Sequence, residues 1–183
     1  MTTSELDCPQ IIKGLHHYQV RYVLTGSLAA AMYGVPVTPR DFDIAPELSS
    51  ANLQRLAELL AAWNAQPLHI PNWAGSLSPE ECALWRPDPP TEQHLDHLLL
   101  TPFGLFDVVP HISGDYATLI ERAFCVQTYG VDVWVAHPND LLATMQPDKV
   151  KKHTERLPFM LEAQASVAHG ARPVPLEHLG YQA

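Results

Sequence analysis

Three aspartates and one small-residue turn are the groups in this chain whose types and spacing suit chemistry. In GSLAAAMYGVPVTPRDFDI, residues 26–44, Gly26-Ser27 is separated by thirteen residues from Asp41-Phe42-Asp43-Ile44. DFDI reads as a strand, and residues two apart on a strand share a face. Asp41 and Asp43 therefore project together, while Phe42 and Ile44 face a core. Carboxylates this close repel unless a cation lies between them. Mg²⁺ suits that place, because it takes hard oxygen ligands, commonly one or two carboxylates plus phosphate oxygens; Mn²⁺ is the alternative. Gly26-Ser27, between a strand and a helix, offers backbone N–H groups where the terminal phosphates of a nucleotide can sit, and Ser27 adds a hydroxyl. The third acid is Asp107 in LFDVV, with Phe106 and Val108 on the buried face. Two metals held by such acids clamp the attacking and leaving oxygens of an in-line displacement at phosphorus.

The bulk properties narrow the setting. At 183 residues, 46% hydrophobic and 17% charged, the chain has the composition of one folded domain. That domain is read over residues 1–168, with an irregular tail over 169–183. A formal charge of −9 argues against a surface built mainly to grip polyanions, and Lys149-Val150-Lys151-Lys152 is the longest basic run. Cys8, Cys82 and Cys125 are far apart and form no CxxC, which points to a reducing, cytoplasmic setting rather than a disulfide framework. No signal pattern opens the chain and no apolar run approaches a bilayer span, so no membrane partner is expected. GxSxG, GxxxxGK[ST] and HExxH are all missing. His94 and His97 lack a third ligand at metal spacing, and His16-His17 are adjacent, so the histidines are read as non-ligands.

The elements that must position the acids follow from pattern. A helix is expected over 8–18 with Pro9 in its first turn, a strand over 19–24, and a helix over 27–34 stopped by Gly34. Residues 50–63 place Leu53, Leu56, Leu59, Leu60 and Trp63 at helical spacing, capped by Ser49 or Ser50. The proline-rich stretch 65–94 reads as loop and short pieces. HLLLT and LFDVVP flank Pro102-Phe103-Gly104 as one hairpin, and FCVQTY and VDVWVA flank Gly130 as a second. GDYATLIERA, with Asp115 as cap, HPNDLLATM and residues 151–169 read as helices. The order indicates an α/β or α+β fold with a mixed sheet.

Gly26-Ser27, then Asp41-Phe42-Asp43-Ile44, then Phe106-Asp107-Val108, together resemble the nucleotidyltransferase superfamily of DNA polymerase beta type. Its pattern is Gly-Ser or Gly-Gly after an apolar residue, Asp-apolar-Asp/Glu-apolar, and a later acid in a strand. More narrowly, GVPVTPRDFDI, TPFGLFDVV, GDYATLI and VAHPNDLLA are similar to small bacterial nucleotidyltransferase-fold proteins, some of them toxins of toxin–antitoxin or abortive-infection pairs. The likeness runs over residues 18–160. It implies a nucleotidyltransferase fold with helices packed on a mixed sheet, Mg²⁺ held by Asp41, Asp43 and Asp107, and transfer of a nucleoside monophosphate from a nucleoside triphosphate such as ATP. Asp107 positions or deprotonates the acceptor hydroxyl, which belongs to a tRNA 3′ end, a protein or a small molecule such as an aminoglycoside. Gly26 and Ser27 hold the triphosphate, and Lys152 contacts phosphate. Arg40, beside Asp41, stands within reach of a triphosphate or of a surface acid. Members of that group often carry Lys-Asp ahead of a Leu-Pro near the last helix; here Lys152-His153 stands ahead of Leu157-Pro158. The alternatives are a non-catalytic nucleotide- or partner-binding module of the same fold, or a toxin paired with an antitoxin protein.

Overall fold

The two acid-bearing stretches lie side by side in one sheet. The computed structural model describes residues 5–73, 75–112 and 114–181. In chain order the strands are β1 (Tyr22–Leu24), β2 (Asp41–Pro46), β3 (Gln66–Pro67), β4 (Leu98–Thr101), β5 (Gly104–Val108), β6 (Phe124–Thr128) and β7 (Val131–Val135). Among the described residues they form a seven-stranded sheet ordered β3-β4-β5-β2-β1-β7-β6. It is mixed: β2 runs parallel to β5 and β1 parallel to β7, while the other neighbours are antiparallel. The expected hairpins are β4–β5 and β6–β7. The architecture is α/β with a mixed sheet.

The helices are α1 (Cys8–His17), α2 (Gly26–Met32), α3 (Ser50–Ala62), α4 (Pro79–Leu84), α5 (Glu92–Leu95), α6 (Tyr116–Ile120), α7 (Pro138–Ala143) and α8 (Lys151–Ala168). Local chemistry sets their starts. Asp7 accepts the Gln10 N–H at 3.1 Å and Pro9 sits in the first turn of α1. Asp115 accepts the Thr118 N–H at 2.9 Å, as a helix cap should. His137 caps α7 by accepting the Asn139 N–H at 3.1 Å. The strand expected over 19–24 is shorter, because Gln19 turns the chain with a positive φ of 55°. No helix among the described residues is long and apolar enough to cross a membrane.

The core lies against one face of β2 and β5. Phe42, Ile44 and Phe106 are fully buried there, the two phenylalanine rings stack 6.2 Å apart, and Trp63 meets Phe106 edge-on at 5.6 Å. Leu53, Leu56, Leu59 and Leu60 of α3 and Ile11, Ile12 and Leu15 of α1 belong to the same core cluster. Buried Asn52 ties α3 to the ends of β1 and β2: its oxygen accepts the Arg21 N–H at 2.7 Å, and its amide donates to the Arg21 and Glu47 carbonyls at 2.8 Å.

The segment after Gly170, expected to be irregular, contains a 3₁₀ turn at Leu176–Leu179. Leu176 is fully buried, the Val174 N–H reaches the Met32 carbonyl at 2.8 Å, and the Glu177 carboxylate accepts a hydrogen bond from Thr128 at 2.5 Å. Prolines interrupt this stretch without freeing it, because the Val174 backbone reaches α2 and the Glu177 side chain reaches β6.

Candidate metal centre

The site begins where β1 ends. Leu24 pairs with Ile44, so Thr25 lies opposite Asp43 and donates its N–H to the Asp43 carbonyl at 3.0 Å. Gly26 then turns the chain with φ +65° and starts α2. A Cβ at Gly26 would lie 2.1 Å from Asp43 Oδ2. Both the left-handed backbone and the closeness of the carboxylate therefore require glycine here. The Asp43 side chain rests against the strand-to-helix turn that the sequence marks with Gly-Ser.

Asp107 reaches the pair through strand register. In the parallel β2–β5 ladder Asp41 pairs with Leu105, Phe42 with Phe106 and Asp43 with Asp107. The alternation that buries Phe42, Ile44, Phe106 and Val108 leaves Asp41, Asp43 and Asp107 half-buried together on the other face. One carboxylate oxygen from each of the three lies within 4.8 Å of the others, the only such group of metal-capable side chains among the described residues.

The electrostatics are those of acids crowded together and partly buried. Burial first, then the charges of Asp41 and Asp107, push the Asp43 carboxyl well above the usual carboxylate range; the Ser27 backbone N–H and Lys152 oppose the rise. Burial, Asp41 and Asp96 push Asp107 up to about 7. None of the three acids has an ion-pair partner among the described residues. Beside them, the fully buried Thr25 hydroxyl has no hydrogen-bond partner among those residues either. Convergent hard oxygens, partly desolvated and unneutralised, fit Mg²⁺ or Mn²⁺, whereas Zn²⁺ favours sulfur and imidazole ligands.

Of the other residues singled out by sequence, Gly26 touches Asp43, and Ser27 and Lys152 both act on its charge. Lys152 is exposed in the first turn of α8. Arg40 is exposed and forms no ion pair among the described residues, so the structure gives it neither a surface acid nor a place within the acid cluster. His153, in place of an acid, accepts the Gln146 backbone N–H on Nδ1 at 2.9 Å.

Sequence reasoning missed Asp96. It sits two residues before Leu98, which lies opposite Asp107 in the β4–β5 hairpin. Its own carboxyl is raised by burial and by Glu92, and lowered by His111, which pairs with Glu92. The signal was the hairpin register: counting back from the Pro102-Phe103 turn places Asp96 on the Asp107 side.

No family model matches the chain, and no curated protein matches it.

Proposed function

We propose that the chain is a Mg²⁺-dependent nucleotidyltransferase, moving a nucleoside monophosphate from a nucleoside triphosphate to an acceptor hydroxyl. The observation that carries this reading is the convergence of Asp41, Asp43 and Asp107 within 4.8 Å beside the Gly26 turn. These three side chains are the ones that would hold the cations, Mg²⁺ or Mn²⁺. When bound, such cations neutralise phosphate charge and stabilise both the attacking and the leaving oxygen.

The chain's own groups supply the rest. Gly26 lets the backbone come close to Asp43 and, in this reading, to the triphosphate, and the Ser27 backbone N–H at the start of α2 already bonds the Asp43 carboxylate. Lys152, already near enough to lower Asp43, supplies a mobile positive charge for phosphate oxygens. Arg40 is a second cation for the triphosphate. Asp107, at the edge of the trio nearer Asp96, is placed to accept a hydrogen bond from the acceptor hydroxyl and align it.

Charge narrows the acceptor. Asp96 and Glu92 extend negative potential outward from Asp107, and the whole chain carries −9. A neutral or cationic acceptor, a small molecule or a protein hydroxyl, meets less repulsion there than a tRNA end. Three free cysteines fit work in a reducing cytoplasm.

Asp43→Asn tests the reading. Transfer of an α-³²P label from nucleoside triphosphates should fall by more than about 100-fold, above the loss from removing an outer-shell partner of a metal ligand, with the circular dichroism spectrum unchanged. Undiminished transfer by this variant would refute it.

A further inference from the structure

Lys152, whose charge reaches Asp43, sits on a stretch fastened by polar ties rather than by the core. Nothing in α8 before Met160 is buried: Lys151, Lys152, Thr154 and Glu155 are exposed, and His153, Arg156 and Leu157 are half-buried. Pro158, inside the helix, lacks the N–H that would bond the Thr154 carbonyl. The first turns of α8 are therefore an arm, joined across a proline to the packed part of the helix. Two side chains tie this arm to the preceding loop. His153 Nδ1 accepts the Gln146 N–H at 2.9 Å, and Thr154 Oγ1 donates to the Pro147 carbonyl at 2.5 Å.

We propose that His153 is a positioning residue: by accepting the Gln146 N–H it fixes the N-terminal arm of α8 and holds the Lys152 ammonium near Asp43, where it meets the polyphosphate of the nucleotide. The ligand named here rests on the nucleotidyl-transfer reading; the tie between His153 and Gln146 does not. Nδ1 accepts only while it carries no proton, so the tie exists in the neutral imidazole alone. The charged groups that act on the ring are Lys152 and Arg156 on its own helix; Asp148 and Lys149, on the loop between Gln146 and the helix, are exposed. Burial, then Lys152 and Arg156, hold the imidazole below its usual range, which keeps the acceptor free at neutral pH. Acidification, by protonating Nδ1, frees the arm from Gln146.

The test compares the wild-type chain with His153→Ala and with His153→Asn, whose amide oxygen accepts in place of Nδ1 and does not titrate. Two quantities are read: exchange protection of the Gln146 amide in the free protein at neutral pH and at about pH 5, and calorimetric affinity for Mg²⁺-tripolyphosphate at neutral pH. His153→Ala is expected to lose about 3- to 10-fold in both, the worth of one net hydrogen bond. His153→Asn is expected to restore both and, unlike wild type, to keep Gln146 protection in acid. Wild-type protection and affinity in His153→Ala, or no restoration by Asn, overturns the proposal. Intact Gln146 protection in a wild-type chain that binds no tripolyphosphate overturns instead its nucleotide half, together with the reading on which that half rests.

Discussion

On one face of β2, Phe42 and Ile44 are fully buried, with Phe42 stacked on Phe106 and Trp63 edge-on beyond it; on the other face, one residue away, Asp41 and Asp43 meet Asp107. The same alternation makes both. The apolar face is closed by its own side chains, with aromatic rings filling the space between sheet and helices. The acidic face is left incomplete: its carboxyls are raised by burial and by one another, and no partner cation among the described residues is paired with them. Asn52 shows that the chain can satisfy a buried polar group when structure requires it, with three hydrogen bonds to backbone. Asp43 is treated differently, and structures retain such unneutralised groups mainly where a ligand completes them.

Substitutions on the two faces should therefore act with opposite sign on stability. Phe42→Ala, on the closed face, is expected to destabilise the protein by about 3–5 kcal/mol, from lost burial and the cavity left between Phe106 and Tyr22. Urea unfolding measures it, and a loss below about 1 kcal/mol, the scale of a surface change, would break the contrast.

Asp107→Asn, on the incomplete face, should stabilise the metal-free protein. The folded-state pKa of about 7 lies above the unfolded value. The folded state thus binds more protons between those two pH values. Wild-type stability should fall as pH rises from about 4 to about 7 and level off beyond. Asn mimics the protonated acid, so the variant should show a smaller decline, that of Asp43 remaining, and at about pH 8 without divalent cations gain about 1–3 kcal/mol over wild type. Thermal unfolding across that range, with chelator present, reads it; a variant less stable than wild type throughout would remove the repulsion argument.

Sequence pattern carried the acidic face well at short range and poorly at long range. The two-residue period of Asp41-Phe42-Asp43-Ile44 decides which side chains share a face before any fold is known. Gly26 was legible as a turn, although what demands it is a carboxylate from another strand, 2.1 Å from where its Cβ would stand. That Asp107 belongs with the pair depends on β2 and β5 pairing in parallel, across an intervening stretch that supplies α3, β3, α4, α5 and β4. Periodicity cannot see such a pairing; the ordered motif could. Asp96 was hidden just past the proline-rich stretch 65–94, ahead of the strand expected at HLLLT, and the tie between His153 and Gln146 depends on loop geometry that no period encodes. The tail shows the same limit: Pro173 and Pro175 signal irregular backbone but say nothing of whether Leu176 after them finds a core.

The most direct measurement is a Mn²⁺ titration of the wild-type chain and of Asp43→Asn, followed by electron paramagnetic resonance of the free ion. Saturable uptake by the wild type that disappears in the variant is the predicted result. Superimposable curves for the two proteins would mean that these acids gather no cation, and the account would fail at its centre.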